Sequence, residues 1–274
     1  MDSSVFEYFD IFLLVLARMG GLVFINPVFS RRGVPPMVRT GLVLALSLLI
    51  APGVRSGAGQ VMAFSTFDMV ESLIREVILG LVIGCVFHIF FYMLYVAGDF
   101  LDTVFGLAMG KVMDPAGGVQ TSILGQFVNV FFYLYFFATG CHLTMVRLFA
   151  YSYQVVPVGA GAILGGRILW YIITLFGSVF LMVIKLVLPS IRLSMAFWIR
   201  SSVRVSTEEV ASSRISTLLS ARIPQIHVFV INIQCKILLG IMLMMLFAYP
   251  MGAFMDRYTE AMMTEAQKLL MMFG

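Results

Sequence analysis

Six long runs of apolar residues, separated by polar or glycine-rich connectors, dominate the pattern along this chain. The runs cover residues 11–29, 38–54, 77–98, 123–145, 168–189 and 226–250. A helix needs about 20 such residues to cross about 30 Å of hydrocarbon at about 1.5 Å per residue. The pattern therefore predicts an all-α, polytopic membrane protein with about six long apolar helices.

The runs differ in length and in their flanks. The third, fourth and sixth are typical of ordinary membrane spans, whereas the second is the shortest and has prolines at both ends. These prolines predict that the second run pairs with the first as a hairpin, and that it is tilted, re-entrant or only partly spanning. Residues 1–274 are expected to form a single membrane domain.

Composition supports a membrane location. Hydrophobic residues make up 61% of the chain and charged residues 12%, against about 45–50% and about 25% in a soluble domain. Asp2, Glu7 and Asp10 stand where a secretory signal would be basic, so the first run is expected to remain as a helix. The net charge is +4, and the arginines between apolar runs suit contact with anionic membrane lipid. We find no basic cluster that indicates nucleic acid.

Two polar segments lie in the C-terminal half. The connector 190–222 carries five arginines, and within it Ser206 followed by Glu209 predicts a capping box for a helix that ends near Leu219. Residues 251–274 have apolar and charged side chains at helical spacing, so the two kinds fall on opposite sides of a helix. They predict an amphipathic C-terminal helix that lies at the membrane interface or binds a partner.

Motifs that would indicate an enzyme, a cofactor or a metal site are missing from the sequence. Gly110-Lys111 is followed by Val112, where a phosphate loop needs serine or threonine. The three cysteines and three histidines are scattered, without metal-ligand spacing. We therefore expect neither catalysis nor a bound cofactor.

Charged residues inside the apolar runs are the stronger clue. Arg18, Lys185 and Lys236 each lie within a run, where insertion of a charge costs at least about 2.5 kcal/mol. Lys185 lies four residues before Pro189 and can extend its amine towards the interface. Arg18 and Lys236 need a partner within the assembly, unless their segments are not conventional spans. The sequence shows no carboxylate in the middle of a run, and a proton or ion relay remains a second interpretation.

Close helix packing is indicated at Gly80 and Gly84. These two glycines form a G-x-x-x-G pattern in the third apolar run. Small residues at this spacing let another helix approach closely, although the pattern is also frequent by chance.

A series of short motifs runs through nearly the whole chain. In order, they are Asn26-Pro27, Arg32-Gly33-Val34-Pro35, Arg39, Gly41-Leu42, Ile50-Ala51-Pro52, Glu76, Gly80, Gly84, Gly98-Asp99, Gly106, Asp114-Pro115, Ser122, Gly140, His142, Ser152, Pro157, Gly159, Leu188-Pro189, Arg222-Ile223-Pro224-Gln225-Ile226-His227-Val228-Phe229 and Gly240. In joint order and spacing this series resembles the FliR family, which belongs to the export gate of flagellar type III secretion. The injectisome counterpart of virulence secretion is a close relative.

The resemblance implies an assembly and a location. It implies a single copy of this chain in a helical hetero-oligomer with FliP-like and FliQ-like membrane subunits and other export-apparatus components. Many of the helices would pack as hairpins raised above the bilayer and would not span it simply. The pore would conduct unfolded export substrates across the bacterial inner membrane at the flagellar basal body. A stand-alone secondary transporter or ion channel is the alternative from a different class.

The resemblance also implies a role for the glycine-rich connector 106–121, which resembles the loop that plugs the closed pore. Its glycines give backbone freedom and its methionines are adaptable fillers. The residues expected to form the plug are Gly106, Met109, Gly110, Met113, Asp114, Pro115, Gly117 and Gly118. By contrast, the connector 190–221 is longer and more polar than the corresponding connection in the family. Either an insertion or a local reading-frame artefact would produce this difference.

Overall fold

The computed structural model describes residues 2–31, 33–57, 66–105, 122–159, 165–212 and 228–273. Within these ranges the chain forms helices and turns and no strand, which confirms the predicted all-α fold. The helices are α1 (Asp2–Ile25), α2 (Pro36–Gly57), α3 (Thr66–Phe105), α4 (Ile123–Ala138), α5 (Cys141–Val155), α6 (Gly166–Ser212) and α7 (Val228–Phe273).

Four helices are long and apolar enough to cross a membrane, within the part of the chain that the structure describes. Their candidate spans are Tyr8–Ile25, Pro36–Val54, Phe67–Val104 and Gly166–Pro189. The second run, whose length left its crossing open, thus forms a helix long enough to span. The sixth predicted run lies in a part of α7 whose side chains are mostly outside the described residues.

The fourth predicted run is not one straight span. It is divided into α4 and α5, which meet at an angle of 72°. Gly140 lies at the break with φ of 72°, a left-handed conformation that glycine adopts without a steric penalty and that commonly ends helices. The prediction of an ordinary span for 123–145 is therefore wrong, and the bent pair counts at most as a fifth span.

One predicted boundary in the C-terminal half is wrong, and a second predicted helix is part of a longer one. Helix α6 continues through Pro189 to Ser212, so Ser206 lies inside a helix and is not the N-cap of a new one. Helix α7 likewise continues through Pro250, and residues 251–273 are its C-terminal part. Long apolar helices tolerate proline because neighbouring groups satisfy the freed carbonyl.

Two compact units divide the described residues. The first unit is drawn from Met1–Tyr92, Phe132–Val179 and Asp256–Gly274. Its core contains an aromatic cluster in which the Phe91 ring centroid lies 4.8 Å from that of Phe132, and the Phe132 centroid lies 5.8 Å from that of Tyr258. The second unit is drawn from Met93–Phe131 and Phe180–Met255.

The turn between α1 and α2 is built by Asn26. The Asn26 carbonyl accepts N–H groups from Phe29 and Ser30, and its side-chain oxygen accepts the N–H of Val28 at 2.9 Å. Asn26 is fully buried. Because this turn reverses the chain, α2 packs against α1, as the hairpin prediction required.

Candidate functional site

Arg18 is the largest fully buried side chain of the described residues, and it lies in the middle of the apolar helix α1. Its guanidinium forms a two-pronged ion pair with Glu76 on α3. Nε lies 2.5 Å from one carboxylate oxygen of Glu76, and Nη2 lies 3.0 Å from the other. This parallel geometry matches the planar fork of an arginine to the two oxygens of a carboxylate.

The C-terminal end of α5 supplies the remaining acceptors. Nη1 of Arg18 donates to the carbonyls of Ser152 and Val156, each at 3.0 Å, and Nη2 also donates to Val156. The last carbonyls of a helix lack N–H donors in their own helix and carry partial negative charge. Arg18 therefore stabilises the end of α5 while its own charge is neutralised.

Two further contacts complete the Arg18 site. The guanidinium carbon lies 4.3 Å from the centroid of the Tyr153 ring, a cation–π arrangement. One Glu76 oxygen also accepts the backbone N–H of Gly159 at 2.9 Å. Glu76 is 1% exposed. The site thus joins α1, α3 and the segment after α5 through hydrogen bonds that are closed within one chain.

Glycines allow α3 to approach α1 at the level of this ion pair. A Cβ atom placed on Gly80 would lie 2.2 Å from the carbonyl oxygen of Arg18, and one on Gly21 would lie 2.5 Å from that of Val77. A Cβ on Gly84 would lie 2.1 Å from a methyl of Ile25. Glu76, Gly80 and Gly84 are spaced by four residues, so they share one face of α3. The G-x-x-x-G pattern is therefore placed against α1, in the same chain.

A second close contact joins α3 to the start of α4 within the second unit. A Cβ on Gly98 would lie 2.1 Å from the Cα of Gly125. Asp102 accepts the N–H of Leu124 at 3.0 Å, and the Tyr95 hydroxyl accepts the N–H of Ser122 at 3.1 Å. These contacts hold together the two helix ends that flank the connector 106–121.

The expected plug residues themselves lie outside the described residues. These are Gly106, Met109, Gly110, Met113, Asp114, Pro115, Gly117 and Gly118, all within the connector 106–121.

Of the other two charged residues singled out from the sequence, the structure describes only the side chain of Lys185. Lys185 is exposed in this chain, so the structure does not bury it. The side chain of Lys236 lies outside the described residues.

Sequence reasoning missed Glu76, which it placed at the edge of an apolar run. One signal in the sequence could have found it, since Glu76 lies one turn before Gly80 and therefore on the same face of a helix. The partner of Arg18 is therefore supplied by this chain, and a second subunit is not needed to neutralise it.

The C-terminal part of α7 also packs within the chain. Tyr258, Met262, Leu269 and Leu270 are fully buried, and the Tyr258 hydroxyl donates to the Phe90 carbonyl at 2.7 Å. The apolar side expected to face the membrane interface or a partner is thus largely occupied by this chain's own first unit. Among the described residues no group of three or more histidine, cysteine or acidic side chains could hold a metal ion.

Comparison with known proteins adds the following findings. The sequence model of the family described as bacterial export proteins, family 1, matches residues 9–200. The flagellar biosynthetic protein FliR of Bacillus subtilis (strain 168) is 24% identical over 247 residues, which are 86% of this chain and 85% of that protein. FliR of Pectobacterium carotovorum subsp. carotovorum is 26% identical over 242 residues, 88% of this chain and 84% of that protein.

A relative with a different name matches a shorter stretch. The surface presentation of antigens protein SpaR of Shigella flexneri is 27% identical over 161 residues, 57% of this chain and 61% of that protein. The region matched by the family model contains Arg18, Glu76 and the connector 106–121. It also contains the closely packed glycines Gly21, Gly80, Gly84, Gly98 and Gly125.

Proposed function

Because this chain belongs to the bacterial export proteins, family 1, we propose that it is a structural and gating subunit of the type III protein-export channel of the bacterial flagellum. The chain is a subunit of a bacterial protein-export apparatus. Its apolar helices and its relatives named FliR place it in the inner membrane. The observation that carries the proposal is the match of the family model to residues 9–200.

The flagellar system is favoured over an injectisome by the extent of similarity. The FliR relatives from Bacillus and Pectobacterium align with more than four-fifths of this chain, whereas SpaR of Shigella flexneri aligns with 57%. The alternative is that the chain serves an injectisome for virulence secretion.

A stand-alone secondary transporter is less well supported. Such a protein needs a binding site near the membrane midplane, formed by broken helices and buried polar groups. The buried arginine that the structure describes, Arg18, is already bonded to Glu76 and to two backbone carbonyls. The Arg18 site therefore offers a solute few unsatisfied hydrogen-bond donors. The buried ion pair is better explained as a structural contact within an export subunit than as a solute-binding site.

Helix length supports an assembly with other subunits. Helices α3, α6 and α7 contain 40, 47 and 46 residues, which correspond to about 60–70 Å, or about twice the thickness of the hydrocarbon layer. The apolar span of α3 alone is 38 residues long, so it extends beyond one bilayer crossing, and its exposed side chains need other cover. We therefore propose FliP-like and FliQ-like subunits as the neighbours, with unfolded export substrates passing through the shared pore.

The connector 106–121 is proposed as the pore plug. The contacts at Gly98, Gly125, Asp102 and Ser122 support this role, because they fix both ends of the connector to one another. A connector with fixed ends can change its shape while the helices that carry it stay in place.

Loss of the gene in its own bacterium is the direct test. The deletion should abolish flagellum assembly and motility, and the intact gene should restore both. Any injectisome in the same cell should continue to secrete. Loss of virulence secretion with normal flagella would transfer the role to the injectisome.

Purification distinguishes an export gate from a transporter. The tagged protein, extracted in mild detergent, should carry two small hydrophobic partner proteins with it. Recovery as a lone monomer or homo-oligomer with a bound solute would contradict the export-gate role.

A further inference from the structure

Helices α4 and α5 meet at a corner that their own backbone does not favour. The φ angle of Gly140 is 72°, and the two helices are bent by 72° relative to one another. An uninterrupted helix would pair the N–H groups of Cys141 and His142 with carbonyls four residues earlier. At the corner these two N–H groups have no acceptor among the described residues. A straight helix would therefore make more backbone hydrogen bonds, and the bend needs support from other parts of the fold.

The turn between α1 and α2 contacts the helix that precedes the corner. Tyr133 lies on α4, seven residues before Gly140. Its hydroxyl donates to the carbonyl of Pro27 at 2.8 Å, and the guanidinium carbon of Arg31 lies 4.3 Å from the centroid of its ring. The Tyr133 side chain is 8% exposed. Two residues of the turn thus fix the end of α4 through one buried ring.

The same turn contacts the helix that follows the corner. The amide nitrogen of Asn26 donates to the Sδ atom of Met145 at 3.3 Å, and Met145 lies on α5, five residues after Gly140. Both side chains are fully buried. The Asn26 amide has a defined orientation, because its oxygen accepts the N–H of Val28 at 2.9 Å. A thioether is a weak acceptor, but in this buried position no water competes for the amide.

Asn26 and Pro27 are consecutive residues, so both sides of the corner are bonded to one short segment. The segment is itself held by backbone hydrogen bonds, since the Asn26 carbonyl accepts the N–H groups of Phe29 and Ser30. The spacing between Tyr133 and Met145 is therefore set by a turn that is remote from both in the sequence.

We propose that the α1–α2 turn is a brace that fixes the angle between α4 and α5, with Gly140 as the hinge that it restrains. The brace consists of Asn26, Pro27 and Arg31. When its contacts to Tyr133 and Met145 are lost, the corner opens towards a continuous helix, which recovers the missing backbone hydrogen bonds. A displacement of the turn is coupled to the angle of the corner in the same way. This inference does not depend on the export role or on the plug.

Two nitroxide labels on opposite sides of the corner measure its angle. Leu134 on α4 is 67% exposed and Tyr151 on α5 is 42% exposed, so each can be replaced by cysteine and labelled. The native Cys85, Cys141 and Cys235 are replaced by alanine in the same full-length protein. Pulsed electron paramagnetic resonance in mild detergent gives the distance between the labels. With the brace intact, we expect one narrow distance distribution.

Loss of the brace should lengthen and broaden this distance. The double variant Tyr133→Phe with Met145→Leu removes both hydrogen bonds and nearly preserves the side-chain volumes. Tyr153→Phe is the matched control, because it also removes one bond from a tyrosine hydroxyl to a backbone carbonyl, that of Val15 at 3.1 Å, but on α1 and away from the turn. The control should keep the narrow distribution. An unchanged distance in the double variant, or an equal change in the control, would overturn the proposal.

Gly140→Ala separates the effect of the turn from that of the glycine. A Cβ at this position meets nothing within 4 Å, so the variant acts through the unfavourable positive φ. With the brace intact the label distance should stay close to that of the wild type, and only in combination with the double variant should it lengthen further. Full lengthening in Gly140→Ala alone would show that the backbone of residue 140, and not the turn, sets the angle.

The single variants keep the proposal testable if the double variant does not fold. Tyr133→Phe and Met145→Leu each remove one contact of the brace, and each should broaden the distance distribution less than the double variant. Two folded single variants that both retain the narrow distribution would contradict the brace.

Discussion

The guanidinium of Arg18 is tolerated in an apolar helix because its three nitrogens all donate to fixed acceptors. Two acceptors are carboxylate oxygens of Glu76, and the others are carbonyls at the end of α5. Such a pair adds little net stability compared with apolar residues of the same shape, since both ions lose their hydration. We expect its effect to be on specificity, because the donors of Arg18 are satisfied where α1, α3 and the end of α5 meet.

Replacement of Glu76 by glutamine should lower the stability of the protein more than the small change in side-chain volume suggests. Glu76→Gln leaves the Arg18 charge buried and unpaired, and we expect a loss of about 3–5 kcal/mol in stability. The double variant Arg18→Gln with Glu76→Gln should recover part of this loss, since it leaves no isolated charge. Thermal unfolding of the purified protein in detergent measures both. A Glu76→Gln protein as stable as the wild type would show that the pair does not neutralise the charge.

The approach of α3 to α1 gives a second prediction at the residue scale. Gly80→Ala places a methyl group 2.2 Å from the backbone oxygen of Arg18, where no side chain can move aside. We expect a loss of at least about 1–3 kcal/mol, measured as a lower unfolding midpoint. Gly20→Ala is the matched control, since a Cβ there meets nothing within 4 Å, and it should be neutral or stabilising. Equal midpoints for the two variants would contradict the close helix contact.

The sequence identified one member of this pair and not the other. Arg18 could be recognised because a charge in an apolar run is itself unusual. Glu76 could be placed on the same helix face as Gly80, but it could not be paired with Arg18, because the two residues lie 58 positions apart. The hydrogen bonds from Arg18 to Ser152 and Val156 join residues that are even further apart in the sequence, and no local pattern encodes them. What pairs with a buried charge is decided by tertiary packing.

At the scale of elements, helices continued through sequence patterns that predict a helix boundary. Pro189 and the Ser206–Glu209 pattern each predict a boundary, yet α6 extends through both. A helix that is already formed adds residues at little cost, so a capping pattern starts a new helix only where the chain has left the previous one. The opposite happened at Gly140, where a positive φ ends α4 inside an apolar run. The length of an apolar run predicted well that a helix is present, but it predicted poorly where that helix begins and ends.

The C-terminal part of α7 is attached to α6 by Glu265. One carboxylate oxygen accepts the Tyr171 hydroxyl at 2.6 Å, and the other accepts the Lys268 amine at 2.7 Å. Burial alone would raise the pKa of Glu265, but these hydrogen bonds outweigh it and hold the pKa below the ordinary value of 4.5. A carboxyl group with a lowered pKa stabilises the folded state above pH 4.5, and the contribution is lost as the pH falls through the folded-state value.

Glu265→Gln should therefore destabilise the protein at neutral pH and have a smaller effect in acid. We expect about 1 kcal/mol at pH 7, because the group is partly exposed and its bonds are screened. The difference in unfolding midpoint between variant and wild type should shrink when the pH is lowered below 4.5. Glu260→Gln, at an exposed position of the same helix, should match the wild type throughout. A difference for Glu265→Gln that does not change with pH would contradict the role of the charged carboxylate.

For the whole molecule, six apolar runs do not amount to six simple crossings. The structure describes four candidate spans and one bent pair, and three of its helices are much longer than a bilayer is thick. Composition predicted the membrane class, and the order of motifs predicted the family, because both properties are spread over the entire chain. The path of each helix through an assembly is not encoded in the hydropathy of one chain, since partner subunits and lipid cover apolar surface equally well.

The proposed plug is tested at this same scale, by removal of residues 106–121. Because Gly98, Gly125, Asp102 and Ser122 hold the flanking helices together, a short glycine linker across the gap should leave the subunit folded and able to enter the export complex. The complex should then leak small ions, measured as increased conductance of cells or of reconstituted membranes.

A replacement of the same length separates sealing from simple occupancy. A glycine–serine segment in place of 106–121 keeps the chain length but removes Met109 and Met113, whose flexible thioether side chains can fit an irregular gap. We expect it to leak less than the deletion and more than the wild type. If the deletion assembles and its conductance equals that of the wild type, the seal lies elsewhere in the complex, and the fixed ends of the connector then serve only to join α3 to α4.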